Sequence, residues 1–272
     1  MNHIAFIGGG NMARALIGGL LARGTDPRRI HVAEPVENAR YGLAAEFGVQ
    51  VHAENRDALA AADVVVLAVK PQVMAAVCTG IADLVASRKP LLISIAAGIR
   101  LSNFRNWLGA SARLVRCMPN TPALIGAGVT ALHADGNVDN ESRSRAEGIL
   151  AATGATVWID DEDLMDTVTA VSGSGPAYFF LLMEAMVAAA MRQGLSADAA
   201  RILVSNTALG AARMVHEGSD DPATLRERVT SPGGTTQAAL ERFESGGFRA
   251  LVDAAITRAT ERGRELSGQF GG

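Results

Sequence analysis

The chain has 272 residues, 49% hydrophobic and 19% charged, with a formal net charge of −3 and a pI near 6.0. That length and apolar content suit one large domain or two smaller ones with a sizeable core, and exclude a disordered chain. The weak acidity and the lack of a basic block exclude nucleic acid as a natural partner.

Along the first 160 residues, short apolar runs alternate with helical patterns. Strands are expected over 3–7, 29–33, 49–51, 63–69, 90–96, 112–117, 128–133 and 155–159, with helices between most of them, for example over 11–23, 36–46 and 71–86. The runs 64–69 and 91–95 are apolar on both faces, as parallel strands covered by helices are. The expected fold class is α/β, with an N-terminal doubly wound parallel sheet of the Rossmann type. From residue 161 almost everything reads as helix, over 161–170, 175–193, 196–216, 221–228, 235–245 and 248–268. The expected division is therefore a dinucleotide-binding domain over 1–160 and a helical domain over 161–272.

The first strand runs straight into Gly8, Gly9, Gly10, Asn11, Met12 and Ala13, a G-x-G-x-x-A pattern. In such a turn Gly8 permits the sharp bend and Gly10 lets backbone approach a pyrophosphate. The small Ala13 lets helix pack on strand, and the helix N-terminus faces the phosphates. Glu34 follows the second strand, where a carboxylate accepts from a ribose 2′-OH and repels a 2′-phosphate. Pro35 and Arg40 lie next to it, the arginine within reach of such a phosphate. Lys70, one of only two lysines, closes the fourth strand within Ala68, Val69, Lys70 and Pro71. Carboxyl ends of parallel strands line the ligand crevice.

In the helical half, two loops rich in N–H and hydroxyl groups precede helices, over 171–177 and 230–236. Each suits a small carboxylate. There is no lysine after Lys89, and His216 is the only histidine in that half. An alcohol dehydrogenation needs a strong general acid or base. Reduction of an iminium mainly needs orientation of hydride and substrate, with Thr236 or a water serving the N–H. Tyr178 and Glu184 are candidate donors too, but read rather as residues of the core or of a helix interface. A 3-hydroxyacid dehydrogenase, another imine reductase and a non-catalytic dinucleotide-binding regulator are the competing readings.

Cys78 and Cys117 lack a paired motif and the five histidines show no metal-ligand spacing, so no disulfide scaffold or metal is expected. The N-terminus reads directly as a strand, so no signal peptide and a cytoplasmic location are expected. The longest apolar stretch, 177–191, is interrupted by Glu184. It reads as too short for a bilayer and better as a buried helix, so no membrane partner is expected.

The chain resembles the pyrroline-5-carboxylate reductases, which make L-proline in the last step of proline biosynthesis. The resemblance spans essentially the whole length and rests on 6–13, 68–71, 94–98, 116–122, 171–178 and 231–236. It implies a Rossmann domain followed by an all-helical domain that intertwines two subunits, with dimers in many members assembling into a decameric ring. It implies a cofactor, NADP(H) or NAD(H), lined by Gly8, Gly9, Gly10, Asn11, Met12, Glu34, Asn55, Ala68, Val69, Lys70, Pro71, Ile95, Ala96 and Ala97. The substrate, 1-pyrroline-5-carboxylate, would have its carboxylate held by Ser231, Gly233, Gly234, Thr235 and Thr236, with Thr236 near the ring nitrogen as the catalytic group. Residues 116–121 would lie beside the nicotinamide end. Some members have serine at the position of Glu34, and some have asparagine where this chain has Arg228 or Val229.

Overall fold

A computed structural model of the chain describes residues 3–269. Eight strands form one sheet in the order β3-β2-β1-β4-β5-β6-β7-β8. They are β1 (Ile4–Ile7), β2 (Ile30–Ala33), β3 (Gln50–His52), β4 (Val64–Leu67), β5 (Leu91–Ser94), β6 (Arg113–Met118), β7 (Gly128–Ala134) and β8 (Gly154–Trp158). The crossovers carry α1 (Asn11–Ala22), α2 (Glu37–Phe47), α3 (Asn55–Leu59), α4 (Pro71–Arg88), α5 (Leu101–Leu108) and α6 (Asn140–Leu150).

The sheet is not parallel throughout, as the sequence suggested. β7 pairs antiparallel with β6, and β8 is parallel to β7. The cause is local: β6 and β7 are joined by a short connection holding only a 3-10 turn, Thr121–Ile125. A parallel crossover needs a dozen or more residues. The five pairs from β3 to β6 are all parallel, so the carboxyl ends of those six strands share one edge.

Strand residues feed both faces alternately. Phe6, Val64 and Val66 join Leu16, Ile17 and Leu43 in one core layer. Ala5, Ile7, Val65 and Leu67 join Met74, Ile81 and Phe104 in the other. This double burial explains why these strands read as unbroken apolar runs.

The chain parts into two compact units, one of residues 1–174 with 258–272 and one of 175–257. The stretch expected as a single helix over 161–170 is instead a 3-10 turn (Glu162–Leu164), a short α7 (Met165–Val168) and a π-turn (Thr169–Gly173). The remaining helices are α8 (Gly175–Arg192), α9 (Ala197–Glu217), α10 (Pro222–Arg228), α11 (Thr235–Ser245) and α12 (Phe248–Gln269). Ser196 caps α9 by accepting from the Ala199 N–H, and Asp221 caps α10 by accepting from the Thr224 N–H.

The expectation of a buried helix over 177–191 fails on this chain. Phe179, Phe180 and Leu181 are each more than 60% exposed. That stretch lies within a longer helical run, Glu162–Arg192, of 31 residues, which is long and apolar enough, by length and composition alone, to cross a membrane. Apolar sequence reports that a face wants cover, not that its own chain supplies it.

Candidate functional site

The cofactor residues expected from sequence gather along the carboxyl edge of the sheet. Gly8 follows β1 with φ +100°, in the left-handed region. A Cβ there would sit 2.8 Å from the Ala68 carbonyl oxygen, so the turn tolerates no side chain. The Gly8 N–H donates to the Ala33 carbonyl (2.9 Å), which ties the turn to β2. Gly10 opens α1 without any side-chain cap, and a Cβ on it would meet nothing within 4 Å. The helix start therefore faces open space over bare backbone, and exposed Asn11 and half-buried Met12 follow it. Such a cradle fits a pyrophosphate.

Glu34 is held from two sides. One carboxylate oxygen accepts from the Gly9 N–H (3.2 Å) and the other from the Val36 N–H (3.0 Å). The carboxylate is thus anchored beside the glycine turn, and Pro35 does not redirect it. Arg40, the alternative partner for a phosphate, donates to the carbonyls of Glu34 (2.8 Å) and Pro35 (3.2 Å). Asn55 begins α3 just after β3. Ala68, Val69, Lys70 and Pro71 join β4 to α4, with exposed Lys70 at the cap position and Pro71 as the first helical residue. Ile95, Ala96 and Ala97 follow β5, and the Ile95 N–H donates to the Leu67 carbonyl (3.2 Å). Because β2, β1, β4 and β5 are neighbours, these segments stand side by side in that order.

β6 adds Met118, Pro119, Asn120 and Thr121 beyond β5 on the same edge. Arg116, 3% exposed within that strand, pairs with Glu162 (3.0 Å) and lies 3.6 Å from Asp166, which accepts from the Ser267 hydroxyl (3.1 Å). The sequence reading missed this cluster, although an arginine in an otherwise apolar strand signals buried carboxylate partners.

The second expected loop lies in the other unit. Ser231 and Gly233 are exposed, Gly234 and Thr236 half-buried, and Thr235 starts α11. The amides of Gly233 and Gly234 are engaged inside the loop, donating to Gln237 Oε1 (2.7 Å) and the Ser231 carbonyl (3.0 Å). Those two glycines thus shape the turn. No side chain caps α11, and the first N–H groups of a helix have no intrahelical partner, so the amides of Thr235 and Thr236 are its outward donors.

Among the described residues, no group of three or more His, Cys, Asp or Glu is placed to hold a metal ion. Burial pushes the Cys78 thiol up to about 12 and the Cys117 thiol well above its ordinary value, so neither is a nucleophile.

Two family models match the chain. One, NADP oxidoreductase coenzyme F420-dependent, covers residues 3–98; the other, pyrroline-5-carboxylate reductase dimerisation, covers 162–266. A pyrroline-5-carboxylate reductase of Pseudomonas aeruginosa is 49% identical over 269 residues, which is 99% of this chain and 98% of that one. The chain belongs to the pyrroline-5-carboxylate reductase family. A solved pyrroline-5-carboxylate reductase of Coxiella burnetii superposes with a TM-score of 0.94 at 44% identity, covering 97% of this chain and 98% of that one. The Plasmodium falciparum pyrroline carboxylate reductase, solved with NADP bound, gives 0.86 at 28% identity with 98% of each chain covered. This pyrroline-5-carboxylate reductase family member is accordingly an NAD(P)H-dependent oxidoreductase with a small-molecule substrate, and it self-associates.

Proposed function

We propose that the chain reduces the C=N bond of 1-pyrroline-5-carboxylate to L-proline, closing proline biosynthesis. The observation that carries the reading is a carboxyl edge built for a dinucleotide, in a chain whose helical half offers amides and hydroxyls but no lysine. When bound, the nicotinamide cofactor supplies the hydride that the imine carbon accepts. We assign cofactor binding to residues 1–160, with Gly8, Gly9, Gly10, Asn11 and Met12 under the pyrophosphate and Glu34 on the adenosine ribose. Asn55, Ala68, Val69, Lys70, Pro71, Ile95, Ala96 and Ala97 line the rest of the crevice.

The substrate and dimerisation region is residues 161–272. Ser231, Gly233 and Gly234 build the turn, and the Thr235 and Thr236 amides at the positive end of α11 seat the carboxylate. The Thr236 hydroxyl oxygen accepts from the ring N–H, steadying it as the iminium becomes an amine. An iminium arrives protonated, so no strong acid is needed. Self-association takes the form of a dimer through the helical region, with a decamer as the larger assembly. Its support is the exposed apolar surface of Phe179, Phe180, Leu181, Ile202, Leu203 and Leu251. The unpaired thiols fit a reducing cytoplasm.

The deciding assay is oxidation of NADPH and NADH with pyrroline-5-carboxylate, set against a panel of 3-keto acids. Turnover confined to pyrroline-5-carboxylate is expected. Turnover of the keto acids instead would replace this reading by a hydroxyacid dehydrogenase.

A further inference from the structure

We propose that Asn120 is a positioning residue for the reduction, working through a carbonyl that Pro176, four residues on, has no N–H to serve. In an α-helix a carbonyl accepts from the N–H four residues on. For Ser172 that residue is Pro176, which has no N–H. The Asn120 Nδ2 amide donates to that carbonyl, 3.2 Å from the Ser172 oxygen. Its Oδ1 accepts from the Val129 N–H (2.9 Å) at the start of β7. One side chain thereby ties the turn after β6 to the π-turn and to β7. The two partners require opposite ends of a carboxamide, and asparagine presents both at this reach.

Two further observations place the same contact under constraint. The π-turn is closed by the Ser174 N–H donating to the Thr169 carbonyl (2.8 Å), a spacing of five residues that is rare and frequent at functional sites. A Cβ on Gly173 would lie 2.4 Å from Met118 Cε, so the π-turn packs closely on the end of β6 and a side chain there would displace the methionine tip. Met118 to Thr121 stand beyond Ile95 to Ala97 along the carboxyl edge, at the end of the crevice away from Glu34. On the proposed reading of that crevice, this is the end where hydride transfer takes place. Asn120 touches neither substrate nor cofactor in this account; it sets the wall against which they are aligned.

The test compares Asn120→Asp, Asn120→Gln, Pro176→Ala and the Asn120→Asp/Pro176→Ala pair. Asn120→Asp keeps the acceptor for Val129 and loses the donor for Ser172. It is expected to lower kcat on pyrroline-5-carboxylate on the order of tenfold, with KM changed less and NADPH affinity by fluorescence titration within about twofold. Asn120→Gln retains both groups and is expected to keep more activity than Asn120→Asp. Pro176→Ala offers the Ser172 carbonyl an N–H four residues on, so in that background Asn120→Asp is expected to cost less in both kcat and melting temperature. Equal cost in both backgrounds would overturn the proposal, as would a loss that appears in NADPH affinity rather than in kcat. Should the wild-type enzyme turn over no pyrroline-5-carboxylate, the substrate reading fails by itself, and the thermal coupling between Asn120 and Pro176 still decides the positioning role.

Discussion

Gly10 presents backbone where a side chain would project into the crevice without touching any protein atom. Its φ of −71° suits any residue. Gly10→Val is therefore expected to abolish dinucleotide binding by calorimetry while the melting curve stays close to wild type. Glu34 supports a second prediction. Its carboxylate already spans two amides next to the glycine turn, where a 2′-phosphate would meet like charge. Measurable NADH use is expected, and Glu34→Ser should shift the kcat/KM ratio toward NADPH; an unchanged ratio would mean that the ribose lies elsewhere. Thr236 carries the third. Loss of one transition-state hydrogen bond costs about 10²-fold, so Thr236→Ala should lower kcat/KM on that scale with cofactor affinity unchanged. A silent Thr236→Ala would reduce the loop to a helix start, with water or Tyr178 serving the nitrogen.

The elements differ in how readily they show in the sequence. All eight strands lie where apolar runs bounded by turn residues put them; β1, β4 and β5 read most plainly, being buried on both faces, whereas the edge strands β3 and β8 are partly exposed. The direction of β7 was not visible in its own residues. It follows from the length of the connection before it, and the spacing between 118 and 128 was the available signal. The π-turn was likewise hidden: the sequence reads as a helix to 170 and a donor-rich loop over 171–177, whereas Thr169 to Gly173 form the π-turn and α8 already starts at Gly175.

One sheet face carries a row of histidines unnoticed in the sequence. His3 Nδ1 lies 3.2 Å from His31 Nε2, and His31 Nδ1 lies 3.1 Å from His52 Nε2. Desolvation, then the neighbouring His52 and His3, hold His31 below its ordinary value of 6.5. The folded state thus favours neutral His31. Its contribution to stability is present above about pH 6.5 and is lost as pH falls through the depressed folded value. The melting temperature is expected to drop between pH 7.5 and pH 5, and His31→Gln should flatten that drop. A His31→Gln profile parallel to wild type would assign the acid sensitivity to other groups.

At the scale of the whole molecule, α8 and its neighbours expose an apolar surface that a monomer in water cannot sustain. Obligate interfaces are large and apolar, so a dimer or larger particle is expected by analytical ultracentrifugation under every folding condition. Phe180→Glu, on that surface, should break the assembly and lower the melting temperature. A folded, active monomer of the wild-type chain would contradict the assignment.

By itself the sequence determined the strand–helix alternation, the glycine turn and the polar loop before α11. Each of these is a local property, set by hydrophobic period, by backbone sterics and by where a helix begins. It also determined the family, because the motifs that carry it lie in short contiguous segments. Only the tertiary structure decided which groups are taken and which remain available. It put Glu34 on the Gly9 amide and closed Gly233 and Gly234 within their own loop. It set Asn120 against a carbonyl 52 residues away and left the apolar face of α8 uncovered. Those outcomes depend on partners distant in the chain, and a linear pattern states what a residue needs without naming what meets that need.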